Sequence, residues 1–334
     1  MNEGVSTPTG VLFRSVDTPG RAGARRTTLE RVTSLVVSVP TPELAADLGP
    51  VPDGVEVIVW PMTDAAPRER IDMVVTPYMS ARDVVAALDG VRTRLVQSQS
   101  IGYEDIAGLL PRGTVLANAA TVHETSTAEL AVGLALAVQR HLDRFAHDRE
   151  WSRVFADSLA DRRVTVLGFG GVGKAIAARL LPFEVDLRAV ASRERVEDGV
   201  PVAAIDDLHR VLAETDILFV ALPGSDSTRG IIGDAELSAL PDGALVINVG
   251  RGPLIDTEAL VEHVSRGRIR AGLDVTDPEP LPADHPLWSL PGVLISPHVG
   301  GATSAMRPRI ARLVRRQIEH LVRGEEPENV VLTT

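Results

Sequence analysis

Residues 164–180 run from an apolar, β-branched stretch (Val164-Thr165-Val166-Leu167) into Gly168-Phe169-Gly170-Gly171-Val172-Gly173. They continue directly into Lys174-Ala175-Ile176-Ala177-Ala178-Arg179-Leu180, an amphipathic helix. Strand, G-x-G-x-x-G and helix in unbroken succession leave few folds open, because each glycine answers a separate steric demand. Gly168 makes the tight turn, Gly170 lets the backbone approach a pyrophosphate, and Gly173 lets helix and strand pack closely. Gly171 and Val172 then open a helix whose free N–H groups face an anion. A bare glycine motif also suits another nucleotide-like site, such as a methyltransferase's. Its place between strand and helix favours a dinucleotide.

The same grammar extends in both directions. Short Val/Ile/Leu runs at 34–39, 55–60, 73–76, 94–98 and 115–118 alternate with Ala/Leu/Glu/Arg stretches, and a second series follows at 164–167, 187–190, 217–221, 244–249, 271–275 and 293–296. Runs this short, apolar and bounded by Pro, Gly or Asp predict buried parallel strands with helices between them. The fold class is therefore α/β, with two doubly wound, Rossmann-like or flavodoxin-like parallel sheets and a cleft between them. The chain has 334 residues, 44% of them hydrophobic, enough for two cores at roughly 150 residues per domain. Thr41-Pro42-Glu43 predicts a capped helix start, and Gly49 its stop. The Ala/Leu-rich stretch 126–150 predicts one long connecting helix. A last helix is expected over 308–323, with no strand after it to continue the second sheet. Residues 1–31 lack apolar periodicity and read as a flexible tail.

Charge and composition exclude several function classes. Net charge is −11, pI is near 5.3, and aromatic residues are 3% of the chain. Neither a phosphate-tracking face nor base-stacking platforms are expected, so nucleic acid is not a predicted partner. The absence of cysteine removes disulfide and thiolate chemistry. The histidine spacings suggest no metal site. No apolar run is long enough to cross a bilayer or to form a signal-peptide core, which predicts a cytoplasmic protein without a membrane partner.

The end of the second strand of the glycine-loop sheet selects the cofactor. An NAD site usually carries Asp or Glu there for the ribose 2′-hydroxyl. This chain reads Val190-Ala191-Ser192-Arg193, which offers a hydroxyl and a guanidinium fork to a 2′-phosphate. NADP is the expected cofactor and NAD the alternative, with Glu194 available to recruit the ribose. Further strand ends carry Arg251, Asp274, Asp277, Glu279 and His298, and in a doubly wound sheet these ends line the ligand crevice. Arg, His and a carboxylate are what hydride transfer to a 2-keto acid requires: a cation for carboxylate and carbonyl, a proton donor, and a group to hold that donor protonated.

Four segments in order, the glycine loop, NVGRGPLID (248–256), GLDVTDPEPL (272–281) and SPHVGGAT (296–303), resemble the signatures of D-isomer-specific 2-hydroxyacid dehydrogenases, of the glyoxylate/hydroxypyruvate reductase kind. The resemblance spans about residues 33 to 326. It implies a substrate domain of residues 32–128 and 304–334 interrupted by an NAD(P)-binding domain of residues 129–303. It also implies that Arg251 binds the substrate carboxylate and polarises the carbonyl, that His298 is the acid/base, and that Glu279 pairs with the imidazole and stabilises its protonated form, with Asp277 the nearest rival. Leu222, Pro223, Thr228, Val249, Gly250, Asp274 and Gly300 fall at cofactor-contacting positions, Asp274 at the one that reaches the nicotinamide carboxamide. Ser100, Ile101 and Gly102 fall in the loop whose N–H groups hold the substrate carboxylate. The implied partners are a small 2-keto or 2-hydroxy acid and, from a tryptophan matched by Trp151, a second copy of the chain in a homodimer; simple core packing is the alternative for Trp151.

The chain departs from the family at Glu184, where glycine usually ends the helix after the glycine loop, so a differently shaped helix end is expected. Thr121-Val122-His123-Glu124 places polar groups near the cleft to which the resemblance assigns no role. Glutamate at 279 counts against formate dehydrogenase, which usually has glutamine there, and no residues follow Thr334 for the regulatory domain of long phosphoglycerate dehydrogenases. Alternatives within the same trio are a nucleotide-sensing corepressor-like protein and a phosphite- or phosphoglycerate-dehydrogenase-like enzyme.

Overall fold

The computed structural model describes residues 34–104, 106–151 and 153–334; the stretch 1–31 read as a tail lies outside the described residues. The first sheet starts with β1 (Leu35–Val39), β2 (Val55–Val59), β3 (Met73–Val75), β4 (Leu95–Gln97) and β5 (Val115–Ala117). All five are parallel, in the order β2-β1-β3-β4-β5. The first helix, Pro42–Leu48, begins where Thr41 accepts the Leu44 N–H and stops at Gly49, whose φ is +60°.

The second sheet holds β6 (Arg163–Leu167), β7 (Asp186–Ala191), β8 (Arg195–Glu197), β9 (Val200–Ala204), β10 (Ile217–Val220), β11 (Ala244–Asn248), β12 (Ile269–Leu273) and β13 (Val293–Ile295). Its order is β13-β12-β11-β10-β6-β7-β9-β8, parallel except for the β8–β9 hairpin. The chain leaves β6 towards β7 and later returns on the other side through β10. Strand order therefore reverses at the glycine loop, which is where such sheets open a ligand crevice. Arg163 at the start of β6 is tied to Asp216 beside β10 by Nη2 to Oδ1 at 2.6 Å and Nε to Oδ2 at 3.1 Å, and its N–H also donates to Oδ2.

Each sheet is covered on both faces, so its central strands are buried along their whole length: every residue of β10 and β11 is buried. The connecting helix Glu124–Gln139 contributes Ala128, Ala131, Leu134 and Val138 to the core under β6 and β11. It is shorter than the 126–150 helix expected, because His141 adopts a left-handed conformation (φ 54°) that ends it before a separate turn, Leu142–Phe145. The C-terminal helix Met306–Arg323 buries Ile310, Leu313, Val314, Ile318 and Leu321 against Val37, Met73 and Leu95 of the first sheet. Each such side chain contributes about 1.5–3 kcal/mol. Then β14 (Val330–Thr333) pairs antiparallel with β5, so the chain ends as part of the first sheet. Glu184 takes φ 58° and ψ 40°. The helix end after the glycine loop thus keeps the left-handed shape a glycine would give it, at a cost of about 1–2 kcal/mol for a residue with a Cβ.

Candidate active site

At the turn from β6, Gly168 has φ +97°, and an added Cβ would lie 2.8 Å from the Ala221 carbonyl carbon. A Cβ on Gly173 would collide with the Gly168 carbonyl, whereas one on Gly170 would meet nothing within 4 Å. Two glycines are therefore demanded by packing, and the third borders open space at the N-terminus of the helix Gly171–Leu180. Gly171 is exposed and Val172 half-buried in its first turn. This cradle fits a dinucleotide pyrophosphate. Beyond β7, Ser192 and Arg193 are exposed, and the Arg193 guanidinium has no partner among the described residues. Its backbone carbonyl accepts from Arg195 Nη1 at 3.0 Å. The nearby Glu197 is engaged by Lys174 at 2.5 Å and Arg195 at 2.7 Å. Those bonds, Lys174 foremost, hold its carboxyl below the usual range.

The remaining cofactor candidates follow the C-terminal ends of β10, β11, β12 and β13. Thr228 donates to the Pro223 carbonyl at 3.0 Å and accepts the Ser225 N–H. Val249-Gly250 packs on Leu222, whose carbonyl oxygen would lie 2.8 Å from a Cβ on Gly250. Asp274 is 3% exposed. Its carboxylate accepts from the Ser296 hydroxyl at 2.6 Å and from the N–H groups of Val299 and Gly300 at 2.9 Å each. Both of its oxygens thus shape the loop that carries His298, with Oδ2 accepting from Gly300 alone.

His298 leaves β13 with φ +54°, its N–H bonded to the Asp274 carbonyl at 2.8 Å. Its Nδ1 lies 2.5 Å from Glu279 Oε1, while Nε2 has no partner among the described residues. Asp277 instead faces Arg229 at 3.3 Å, so the geometry gives the imidazole to Glu279. Arg251 follows β11 in a loop folded by Asn248, which accepts from the Gly250 N–H at 3.1 Å and donates to the Arg251 carbonyl at 3.0 Å. The guanidinium lies directly over Gly102, leaving no room for a Cβ there, and Nη2 stands 3.7 Å from Glu104 Oε2. In the facing loop Ser100 donates its N–H to Ser98 Oγ, and the Ile101 carbonyl accepts from Asn118 Nδ2. The N–H groups of Ile101 and Gly102 bond to nothing among the described residues. The structure brings Arg251 and Gly102 together across the cleft, and His298 together with Glu279.

Two neighbours escaped the sequence reading. Glu104, beside Arg251, follows the substrate loop by two residues. Tyr78 stands just beyond the C-terminal end of β3, a position the crevice rule marks. Burial, and secondarily the charge of Asp274, push the Tyr78 hydroxyl above its usual range, with Arg251 opposing. Trp151 is 87% exposed, so it does not pack in this chain's core.

A parallel sheet reversing at a glycine cradle, with an arginine and a carboxylate-paired imidazole on the strand ends around it, is the framework of a nicotinamide-dependent oxidoreductase. Residues 132–300 match the family model described as D-isomer specific 2-hydroxyacid dehydrogenase, NAD binding domain. The glyoxylate reductase of Pyrococcus furiosus is 32% identical over 302 residues, 83% of this chain and 89% of that protein. A crystal structure of an NADPH-dependent glyoxylate/hydroxypyruvate reductase from Sinorhizobium meliloti, in complex with NADP and sulfate, superposes with a TM-score of 0.76. Identity there is 26%, with 89% of this chain and 98% of that one covered. A D-isomer specific 2-hydroxyacid dehydrogenase from Xanthobacter autotrophicus in complex with NADPH and MES gives the same score at 25% identity, covering 90% and 99%. The chain belongs to the D-isomer specific 2-hydroxyacid dehydrogenase family and is an NAD(P)-dependent oxidoreductase acting on hydroxy acids. Among the described residues no helix is long and apolar enough to cross a membrane.

Proposed function

We propose that this enzyme is a cytoplasmic, NADP-preferring reductase of small 2-keto acids, with glyoxylate and hydroxypyruvate as substrates, working as a homodimer. Residues 32–128 with 304–334 form its substrate domain and residues 129–303 its cofactor domain. The observation that carries the reading is the His298–Glu279 contact of 2.5 Å, which spends Nδ1 on a carboxylate and leaves Nε2 open.

When bound, the reduced nicotinamide supplies the hydride. Arg251 and the open N–H groups of Ile101 and Gly102 bind the substrate carboxylate, and the guanidinium also polarises the 2-carbonyl. His298 holds a proton at Nε2 for the developing alkoxide, and Glu279 fixes its ring through Nδ1. Asp274 orients this loop through the Val299 and Gly300 N–H groups. Arg193 and Ser192 stand ready for a 2′-phosphate, with Glu197 neutralised by Lys174 and Arg195. Support for the dimer comes from exposed apolar side chains between residues 142 and 155, Leu142, Trp151, Val154 and Phe155 among them. Such a concentration marks an association surface.

The test is turnover of a panel of 2-keto acids with NADPH and with NADH. Glyoxylate and hydroxypyruvate should be reduced fastest, and with NADPH. Tight NADPH binding without turnover of any keto acid would move the protein to a sensing role.

A further inference from the structure

His123 is 5% exposed and takes no part in the chemistry above, yet its ring touches both sides of the cleft. Its Nε2 lies 2.6 Å from the Gln99 carbonyl, next to the substrate loop of the first sheet. Its Nδ1 lies 3.3 Å from the Gly301 carbonyl, three residues after His298 in the second. Tyr78 stacks on the ring, with centroids 5.3 Å apart and planes 21° off parallel. The packing behind Gly301 is close enough that an added Cβ would fall 2.7 Å from His123 Nδ1 and 2.6 Å from the Tyr78 hydroxyl. The neighbouring charges bond to other groups, except that the buried Oε2 of Glu124 has no hydrogen-bond partner among the described residues. Asp274 serves the 296–300 loop, Glu124 accepts the Thr121 N–H at 2.6 Å, and Arg309 donates to the Val122 carbonyl at 3.2 Å. No carboxylate among the described residues bonds to the ring.

We propose that His123 is a positioning residue that clasps the substrate loop (98–102) to the acid loop (298–301), setting the carboxylate-binding N–H groups at a fixed distance from His298. Both contacts are carbonyl oxygens, which can only accept. A neutral imidazole donates to one, and the short bond assigns its N–H to Gln99, leaving Gly301 held by its close packing on the ring; an imidazolium donates to both. A glutamine amide also carries two N–H groups on one nitrogen, so His123→Gln can bridge the same pair. His123→Phe keeps the stack on Tyr78 and loses every hydrogen bond of the ring. The catalytic consequence rests on the proposed reduction of 2-keto acids, whereas the clasp itself does not.

Hydrogen exchange on the unliganded full-length protein tests the clasp. His123→Phe should speed exchange about tenfold in segments 98–102 and 299–303 together, the factor expected for losing a carbonyl hydrogen bond from a local opening equilibrium. His123→Gln should stay within about twofold of wild type. Gly301→Ala, which pushes on the ring from the far side, should speed exchange in segment 98–102, which it does not touch. In steady-state assays His123→Phe should raise the keto-acid KM about tenfold, leave the NADPH KM unchanged, and be rescued by His123→Gln. Unchanged exchange in either segment, or a uniform rise across the whole chain in both His123→Phe and Gly301→Ala, would overturn the clasp. Coupled exchange with an unchanged keto-acid KM would overturn its catalytic role alone.

Discussion

Replacing Arg193 with alanine removes a guanidinium that has no ion-pair partner among the described residues, so its loss unbalances nothing in the unliganded protein and reads out on the cofactor alone. The side chain stands just past β7, its backbone held by Arg195, and the neighbouring Glu197 is already neutralised by Lys174 and Arg195. Charge-assisted bonds to a phosphate contribute about 1.5–3 kcal/mol. Because Arg193 is exposed, solvent screening places the value near the lower end, about 1.5 kcal/mol or roughly tenfold in affinity. Steady-state kinetics with a saturating keto acid should show the NADPH KM rising about tenfold while the NADH KM moves less than twofold. The wild-type preference should itself shrink as ionic strength approaches 1 M, where the screening length falls to about 3 Å. Equal changes with both cofactors, or a preference indifferent to salt, would show that Arg193 does not read the 2′-phosphate.

The other expectations are more local. Glu279→Gln keeps the shape beside His298 but removes the carboxylate that faces Nδ1, so the reduction kcat should fall about ten- to a hundredfold with NADPH binding intact; Asp277→Asn, which lies on Arg229, should leave kcat within about threefold. Gly102→Ala drives a methyl group into the Arg251 guanidinium and should cost about a hundredfold in keto-acid kcat/KM without altering cofactor affinity. Asp216 has its carboxyl lowered chiefly by the hydrogen bond from Arg163. A depressed folded-state value confers stability that is present above the unfolded value and lost as pH falls through the folded one. Asp216→Asn should thus destabilise by about 1 kcal/mol at neutral pH, with the gap to wild type closing in thermal melts as pH drops below the ordinary aspartate range. Light scattering should return the mass of two chains, and a monomer mass at every concentration would remove the dimer.

Much of this architecture is legible because buried parallel strands are short apolar runs whatever surrounds them, and both series of runs appear as strands within a residue or two at most ends. What escaped has identifiable causes. The β8–β9 hairpin is polar on its outer strand, yet its turn is Asp198-Gly199, both at positive φ (53° and 78°), a strong short hairpin signal once looked for. The strand β14 is only four residues long and edge-lying, with no fully buried residue, and its role depends on a partner, β5, more than 200 residues earlier. The break of the connecting helix at His141 has no Gly or Pro to announce it. Glu279 and Asp277 could not be ranked by spacing alone, since both stand near Pro280, and it is the Arg229 contact that takes Asp277 away. Likewise the contacts of His123 are to backbone carbonyls, which no side-chain pattern records.

The central claim, that His298 delivers the proton in an NADPH-dependent reduction of a 2-keto acid, is tested most directly by comparing wild type and His298→Ala in glyoxylate and hydroxypyruvate reduction while measuring NADPH affinity by fluorescence. A general acid contributes on the order of 10²–10⁴ in turnover. The account predicts a kcat loss of that size in both substrates with the NADPH affinity unchanged. A variant that reduces either acid within about threefold of the wild-type rate would contradict it.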